Sequence, residues 1–405
     1  MAALLAIFAS GSALAQSTAL TLAEGIARAR DQAPQLQSAD AALRAADASV
    51  GLASLRPNPT LSVEAENVMG SGRYAGFGGG EKTFSLSMPL EMGGKRGARV
   101  RVAEAERSAA RIGTQAAQAD LVLQITEAFV TLAASERHVE IATATRALAD
   151  RAHHAARERV SVGKASPIEE QRADVLRINA GVRLEKALRA ARLAGATIAR
   201  LTGGVMPIAI TSPWFERLDG VEAGRAPDSN LAIAAAEAEL TAASARVDAA
   251  KRDRIPDVTL TAGMRRYGES SDKAAVFALS VPLPLFNPGT AALTRSQAEY
   301  DRASAIRRTI ALEFEQSTAQ AEAEFADALA AARAANGPAL AAAEEAARIA
   351  RIGYAEGKFP QLELIEAERS LAETRESSVD ALAALHSARA RLARLQGSNS
   401  PIYKD

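Results

Sequence analysis

The chain has 405 residues, with Lys+Arg 48 against Asp+Glu 48, no cysteine, 48% hydrophobic residues and only 4% aromatic. Zero formal net charge argues against a nucleic-acid binder, which carries a basic excess. A chain without cysteine has no disulfide, zinc–thiolate site, thiol nucleophile or lipidated N-terminal cysteine. Few aromatics and abundant Ala suit helices packed at close range. No apolar run reaches the ~18 residues of a transmembrane helix, so membrane entry, if any, is expected through a β-barrel.

Residues 2–9 are an unbroken apolar stretch, and Ala13-Leu14-Ala15 forms an A-x-A cleavage pattern before Gln16. No Lys or Arg precedes that stretch, where an export signal ordinarily carries one. Residues 1–15 are expected to be a signal peptide.

The remainder is a twofold repeat. Pro57, Thr60 and Leu61 recur as Pro256, Thr259 and Leu260, and Phe84-Ser85-Leu86-Ser87-Met88-Pro89-Leu90 recurs as Phe277-Ala278-Leu279-Ser280-Val281-Pro282-Leu283. Gly163-Lys164 matches Gly357-Lys358, and Ala199-Arg200-Leu201-Thr202-Gly203 matches Ala393-Arg394-Leu395-Gln396-Gly397. The offsets are 199, 193, 194 and 194, so order and spacing are both kept. The halves are expected at 16–203 and 227–397, with a short tail at 398–405. Between them, 204–226 holds Pro207, Pro213 and the only tryptophan, Trp214, and reads as a linker that packs against something.

Each half follows one plan. A first helix, 21–55, opens with Thr21 as N-cap and Glu24 three residues on, a capping box. A hairpin is expected within 60–90. Leu61, Val63 and Ala65 share one face of its first strand, and Phe84, Leu86, Met88 and Leu90 share one face of its second. Thr60, Ser62, Glu64, Thr83, Ser85 and Ser87 lie opposite them. Alternation of period two is the signature of a strand with one apolar and one polar face. A long helix then runs over 98–162, its seam at Val122, Ile125, Phe129, Leu132 and Val139. At ~1.5 Å per residue it is about 100 Å long, which no globular domain of this size needs. A helix over 167–201 returns. The second half repeats the plan with a helix at 229–254, a hairpin within 258–283, a long helix at 290–356 and a helix at 362–395. Gly337-Pro338 is expected to kink the long helix.

Four strands cannot close a barrel, which needs about eight, and half-apolar strands with open edges do not sit well in water. Oligomerisation resolves both: about eight strands from two copies leave a filled interior, and twelve from three leave a lumen. The apolar rows then face lipid, and Ser85, Ser87, Thr259, Thr261 and Ser280 face water. In lipid only a closed barrel satisfies every backbone group.

This layout resembles the TolC family of bacterial outer-membrane efflux channels over nearly the whole mature chain. Tyr354-Ala355-Glu356-Gly357-Lys358-Phe359, followed by Leu362-Glu363-Leu364-Ile365-Glu366-Ala367-Glu368-Arg369-Ser370-Leu371, is similar to the family's second helical-turn motif. The likeness is nearest to the outer-membrane subunits of heavy-metal, cobalt–zinc–cadmium-type RND efflux systems. Gly163-Lys164-Ala165-Ser166-Pro167-Ile168-Glu169 is a poorer copy in the first half. The resemblance implies a mainly α protein with transmembrane β: long antiparallel helical hairpins plus four strands per chain. Three copies would form a 12-stranded β-barrel in the outer membrane of a Gram-negative bacterium and a periplasmic α-helical tunnel. Its tip would meet a periplasmic adaptor (membrane fusion) protein driven by an inner-membrane RND pump. Many members are also lipid-anchored through a cysteine; this chain, having none, would rely on the barrel alone.

The resemblance further implies that acidic residues past the turns ring the periplasmic aperture. By motif position these are Glu363 and Glu366, with Glu169 in the first half, Glu standing where many members carry Asp. A carboxylate ring narrows a mouth and attracts cations; the plainer alternative is a solvated helix face, with Glu366 and Arg369 spaced to pair. Gly163 and Gly357 end the long helices where a left-handed cap needs glycine, and with Lys164 and Lys358 would form the adaptor-docking turns.

Other chemistry finds no context. His153 and His154 diverge by about 100° on a helix, and with His138 and His386 read as surface or packing residues, not metal ligands. Met69, Met88, Met92 and Met264 lie in or beside strands and read as lipid-facing or packing. Gly76-Phe77-Gly78-Gly79-Gly80 precedes a strand, unlike a dinucleotide loop, and no nucleophile grouping has the context of an enzyme. No cofactor is expected. The expected function is the exit duct of a tripartite efflux pump, for heavy-metal cations. The alternatives are a channel for organic compounds or type I secretion, and a soluble periplasmic coiled-coil scaffold.

Overall fold

The computed structural model describes residues 19–76, 78–218, 230–270, 272–397 and 403. The expected signal peptide, residues 219–226 of the linker and most of the tail lie outside them. In chain order the elements are α1 (Leu22–Gln32), α2 (Pro34–Ser54), β1 (Thr60–Glu66), β2 (Glu81–Leu90), α3 (Lys95–Ser161), α4 (Pro167–Thr202), α5 (Leu231–Asp253), β3 (Val258–Arg266), β4 (Lys273–Ser280), α6 (Thr290–Ala334), α7 (Leu340–Ala355) and α8 (Gln361–Leu395). The chain forms two compact units, one of residues 1–34, 118–228 and 317–405, the other of 35–117 and 229–316.

The two local irregularities of the helices both fall at prolines. The helix expected over 21–55 is split: Thr21 and Glu24 form the capping box, at 3.1 and 3.2 Å, but Ala33 is extended and α2 restarts at Pro34. A residue before proline is pushed out of the helical region, and proline suits the first turn of the next helix. At Pro338, where the sequence places a kink, the helix continues and widens into a five-residue π-helical turn, Ala335–Ala339. Matched positions lie 193 apart before this turn (Phe84 and Phe277) and 194 apart after it (Gly163 and Gly357), the one extra residue a π turn absorbs.

In the first unit the seam of α3 is the core. Ile125 and Phe129 are fully buried, with Val122 and Leu132 beside them. Gly25 of α1 lies so close to the Phe129 ring that a Cβ there would come within 2.7 Å of it. Small residues elsewhere, Ala133, Ala156, Ala332 and Ala347 among them, are also buried, so the helices approach closely. Arg391 and Arg394 of α8 reach Glu127 and Asp120 of α3 at 2.9 and 2.6 Å.

The described part of the linker is docked. Ile210 forms a bridge with Leu20, and Trp214 and Phe215 are buried. Trp214 stacks on Tyr403 with ring centroids 4.4 Å apart, and His386 stands edge-on to both. His386 Nε2 lies 2.8 Å from the Phe215 carbonyl and Nδ1 2.6 Å from the Tyr403 hydroxyl. A neutral ring donating from Nε2 and accepting at Nδ1 satisfies both contacts. Burial lowers the His386 pKa to about 4; Arg389 acts the same way, and the bond to Phe215 opposes it.

An unfolded histidine titrates near 6.5, so below that pH the unfolded chain takes up the proton first. Stability is therefore full above about pH 7 and falls as pH drops from about 6.5 to about 4. The loss is on the order of 3 kcal/mol. Thermal unfolding across that range checks this: the midpoint should fall with pH in the wild type, and His386→Gln should flatten the profile.

The second unit carries the sheet, in the order β1-β2-β3-β4 with every neighbour antiparallel. Arg246 of α5 joins α3 through Glu106 at 2.8 Å, and Arg307 of α6 joins α5 through Glu237 at 2.8 Å.

Candidate functional site: a two-faced sheet and two helical turns

Cross-strand register puts whole rows of one chemistry on each face of the sheet. Leu61, Leu86, Ala262 and Phe277 lie side by side across the four strands, and Val63, Phe84, Met264 and Ala275 form a second such row. Phe277 is 81% exposed and Leu61 72%, values that apolar side chains on a folded surface rarely reach in a contiguous patch. On the other face Ser87 and Thr261 share a hydroxyl–hydroxyl hydrogen bond of 2.8 Å. There Arg265 holds Glu66 at 2.6 Å, Glu81 at 2.9 Å and the Thr83 hydroxyl at 3.0 Å. Ser87, Thr261, Thr83, Glu66, Glu81 and Arg265 are thus tied to one another on the polar face, while the apolar rows lie on the opposite one. Ser85, Ser87, Thr259, Thr261 and Ser280 all fall on the polar side by register. β1 and β4 are the sheet's edges, each with a single neighbour among the described residues.

The turns are built alike. After α3, Gly163 has φ +72°, and the Lys164 N–H donates back to the Arg159 carbonyl at 2.8 Å. After α7, Gly357 has φ +73°, and the Lys358 N–H donates to the Gly353 carbonyl at 2.8 Å. Both are the six-to-one bond of a helix end closed by a left-handed residue. Neither glycine has a heavy atom near its absent side chain, so conformation alone accounts for the residue type. Lys164 is exposed, and Lys358 is exposed with its ammonium 2.5 Å from Glu356.

Past the turns, Glu363 lies in the first turn of α8 and Glu169 in the first turn of α4, where the helix N-terminus favours a carboxylate. Glu363 and Glu366 are exposed and Glu169 half-buried. Arg369 does not pair with Glu366 as the spacing allowed. It reaches forward to Glu373 at 2.8 Å, leaving the side chains of Glu363 and Glu366 without hydrogen-bond or ion-pair partners among the described residues.

Sequence reasoning passed over the neighbour that is paired. Glu368, its side chain 9% exposed, forms a bidentate pair with Arg351 between α8 and α7. Arg159 also donates to the Tyr354 hydroxyl at 3.1 Å, joining the helices that lead into the two turns. The only available signal was that Arg159 and Tyr354 stand four and three residues ahead of matched glycines.

His138 is 3.0 Å from Asp380, His153 3.9 Å from Asp174 and His154 3.2 Å from Glu158, and His386 is buried in the aromatic cluster. Among the described residues no three His, Cys, Asp or Glu side chains are grouped as metal ligands.

A sheet with one exposed apolar face, in a chain otherwise of long helices, fits a membrane-channel subunit, and comparison with known proteins gives the family. The outer membrane efflux protein family model matches residues 25–204 and again 223–398, and the chain belongs to that family. It is an outer-membrane channel protein and not an enzyme, which sets aside the soluble scaffold. The cobalt-zinc-cadmium resistance protein CzcC of Cupriavidus metallidurans is 27% identical over 398 residues, covering 93% of this chain and 90% of that protein. The nickel and cobalt resistance protein CnrC of the same organism is 31% identical over 281 residues, covering 68% and 67%. Among solved structures, the open state of the Neisseria gonorrhoeae MtrE outer membrane channel shares the fold with a TM-score of 0.77. It is 19% identical and matches over 93% of this chain and 89% of that one.

Proposed function

We propose that three copies close into a 12-stranded barrel and a periplasmic helical tunnel, the exit duct of a tripartite RND-type efflux system for heavy-metal cations. The observation that carries this is the sheet, which has one exposed apolar face, one polar face and two open edges. Because its strands alternate in direction, β4 of one copy is antiparallel to β1 of the next, and any number of copies preserves the pattern. Three give a lumen and leave no edge in lipid. Transport is passive here, with energy supplied by an inner-membrane pump through a periplasmic adaptor. Metal cargo is supported by the names of CzcC and CnrC. The test is complementation of a strain lacking its metal-efflux duct. Restored tolerance to cobalt, zinc or cadmium supports the reading; restored tolerance to organic toxins alone overturns the cargo.

Within the duct, Glu363 and Glu366, with Glu169, form the acidic periplasmic aperture. Gly163, Lys164, Gly357 and Lys358 form the turns that dock the adaptor. The exposed carboxylates of Glu363 and Glu366, repeated around an axis, repel one another and attract cations. Replacing Glu363 and Glu366 by Ala is expected to raise single-channel conductance several-fold and weaken cation selectivity in planar bilayers. Unchanged conductance removes them from the aperture.

A further inference from the structure

The repeat makes the inside of one chain a template for the contact between two. Within the sheet, β2 of the first half lies against β3 of the second. In the closed ring proposed above, β4 of one copy lies against β1 of the next, which are the corresponding strands. An offset of 193 carries β2 onto β4, and one of 199 carries β1 onto β3. Transposed this way, the pair Ser87–Thr261 becomes Ser280 opposite Ser62, two hydroxyl side chains on the polar face. Leu86–Ala262 becomes Leu279 opposite Val63, two apolar side chains on the exposed face. Chemistry and facing are both kept.

The same transposition reaches the segments flanking the strands. Within the chain, Asp257 accepts from the Met92 N–H at 3.0 Å and pairs with Lys95 at 2.9 Å. Gly93, with φ +66°, makes room for Ile255, whose Cδ1 would sit 2.5 Å from a Cβ placed there. At the open edges Asn58 stands for Asp257 and Pro288 for Lys95, so the carboxylate and its cation disappear together. Arg56 stands for Ile255 and Phe286 for Gly93. Phe286 is 100% exposed, Leu285 beside it is 76% exposed, and Arg56 is exposed without a partner among the described residues. A bare aromatic ring at one edge and an unpartnered guanidinium at the other are what a single chain's packing leaves unexplained.

We infer that Arg56 of one copy lies over the Phe286 ring of the next, a cation–π clasp closing each β4–β1 seam. It rests on the closed-ring reading and adds to it the contact that fixes the seam. The absence of cysteine gives a clean background for disulfide trapping. Arg56→Cys with Phe286→Cys, and Ser62→Cys with Ser280→Cys as the strand-edge control, are oxidised in native membranes. Both pairs are expected to give reductant-sensitive dimers and trimers. Bands from the control alone overturn the clasp and leave the ring; bands from neither, with monomer mass in detergent, overturn the ring itself. A second readout needs no cysteine. Phe286→Ala and Arg56→Ala should each lower the trimer's dissociation temperature, and the double variant no further than either alone. Additive shifts, as when Phe286 faces lipid, overturn the clasp.

Discussion

Leu86→Arg is expected to abolish assembly in the outer membrane, whereas Ser87→Arg, one residue along, leaves assembly intact. Leu86 sits in the row with Leu61, Ala262 and Phe277 on the exposed apolar face, and Ser87 points to the other side. An arginine at mid-depth on a lipid-facing strand costs ~2–4 kcal/mol, and the proposed ring of three would carry it three times, ~6–12 kcal/mol in all. That is comparable to the whole stability of a typical domain, ~5–15 kcal/mol. The lumen-side arginine stays in water and costs little. Density fractionation of membranes and heat-modifiable gel mobility check the pair. Leu86→Arg protein recovered as a trimer in outer membranes would reverse the assignment of faces.

Trp214→Ala is the second large effect. The indole is 3% exposed, stacked on Tyr403 and edge-on to His386 and Phe215. Truncating a buried aromatic of this size costs about 3–5 kcal/mol, because the cavity collapses only in part. Here the loss falls on the two segments that the ring joins, the linker around 214 and Tyr403. Trp214→Phe should lose far less, since the indole N–H has no hydrogen-bond partner among the described residues to forfeit and most of the stack remains. Urea unfolding measures the difference, and limited proteolysis should show the alanine variant cut first after residue 397. Equal midpoints for the alanine variant and the wild type would mean that the linker is held elsewhere.

Much of this protein was legible because its signals are local. The alternation of Leu61 and Val63 with Ser62 and Glu64 is a two-residue pattern, the seam of α3 a helical one, and Gly163 and Gly357 mark left-handed caps. Each is specified by a few neighbouring side chains. The misreading also had a local cause: Pro34 was passed over as a helix break. Pro338, read as the place of a kink, lies in a turn that widened into a π-helix, where the offset between the halves grows from 193 to 194.

The pairings were a different matter. Arg369 had two acids within reach on its own helix, Glu366 behind and Glu373 ahead, and spacing does not say which it takes. Glu368 found Arg351 across a helix pair, and His386 found Phe215 and Tyr403 through a docked linker.

By itself the amino-acid sequence determined the repeat, the facing of each strand, the position of both turns and the family. Only the tertiary structure decided that β2 lies against β3, which leaves β1 and β4 as the edges, and which carboxylates are tied down or left exposed. The reason is physical. Periodicity is set by backbone geometry over a few residues, whereas Leu90 and Val258 meet across 168 positions of chain, and such a contact is chosen by how the helices between them pack.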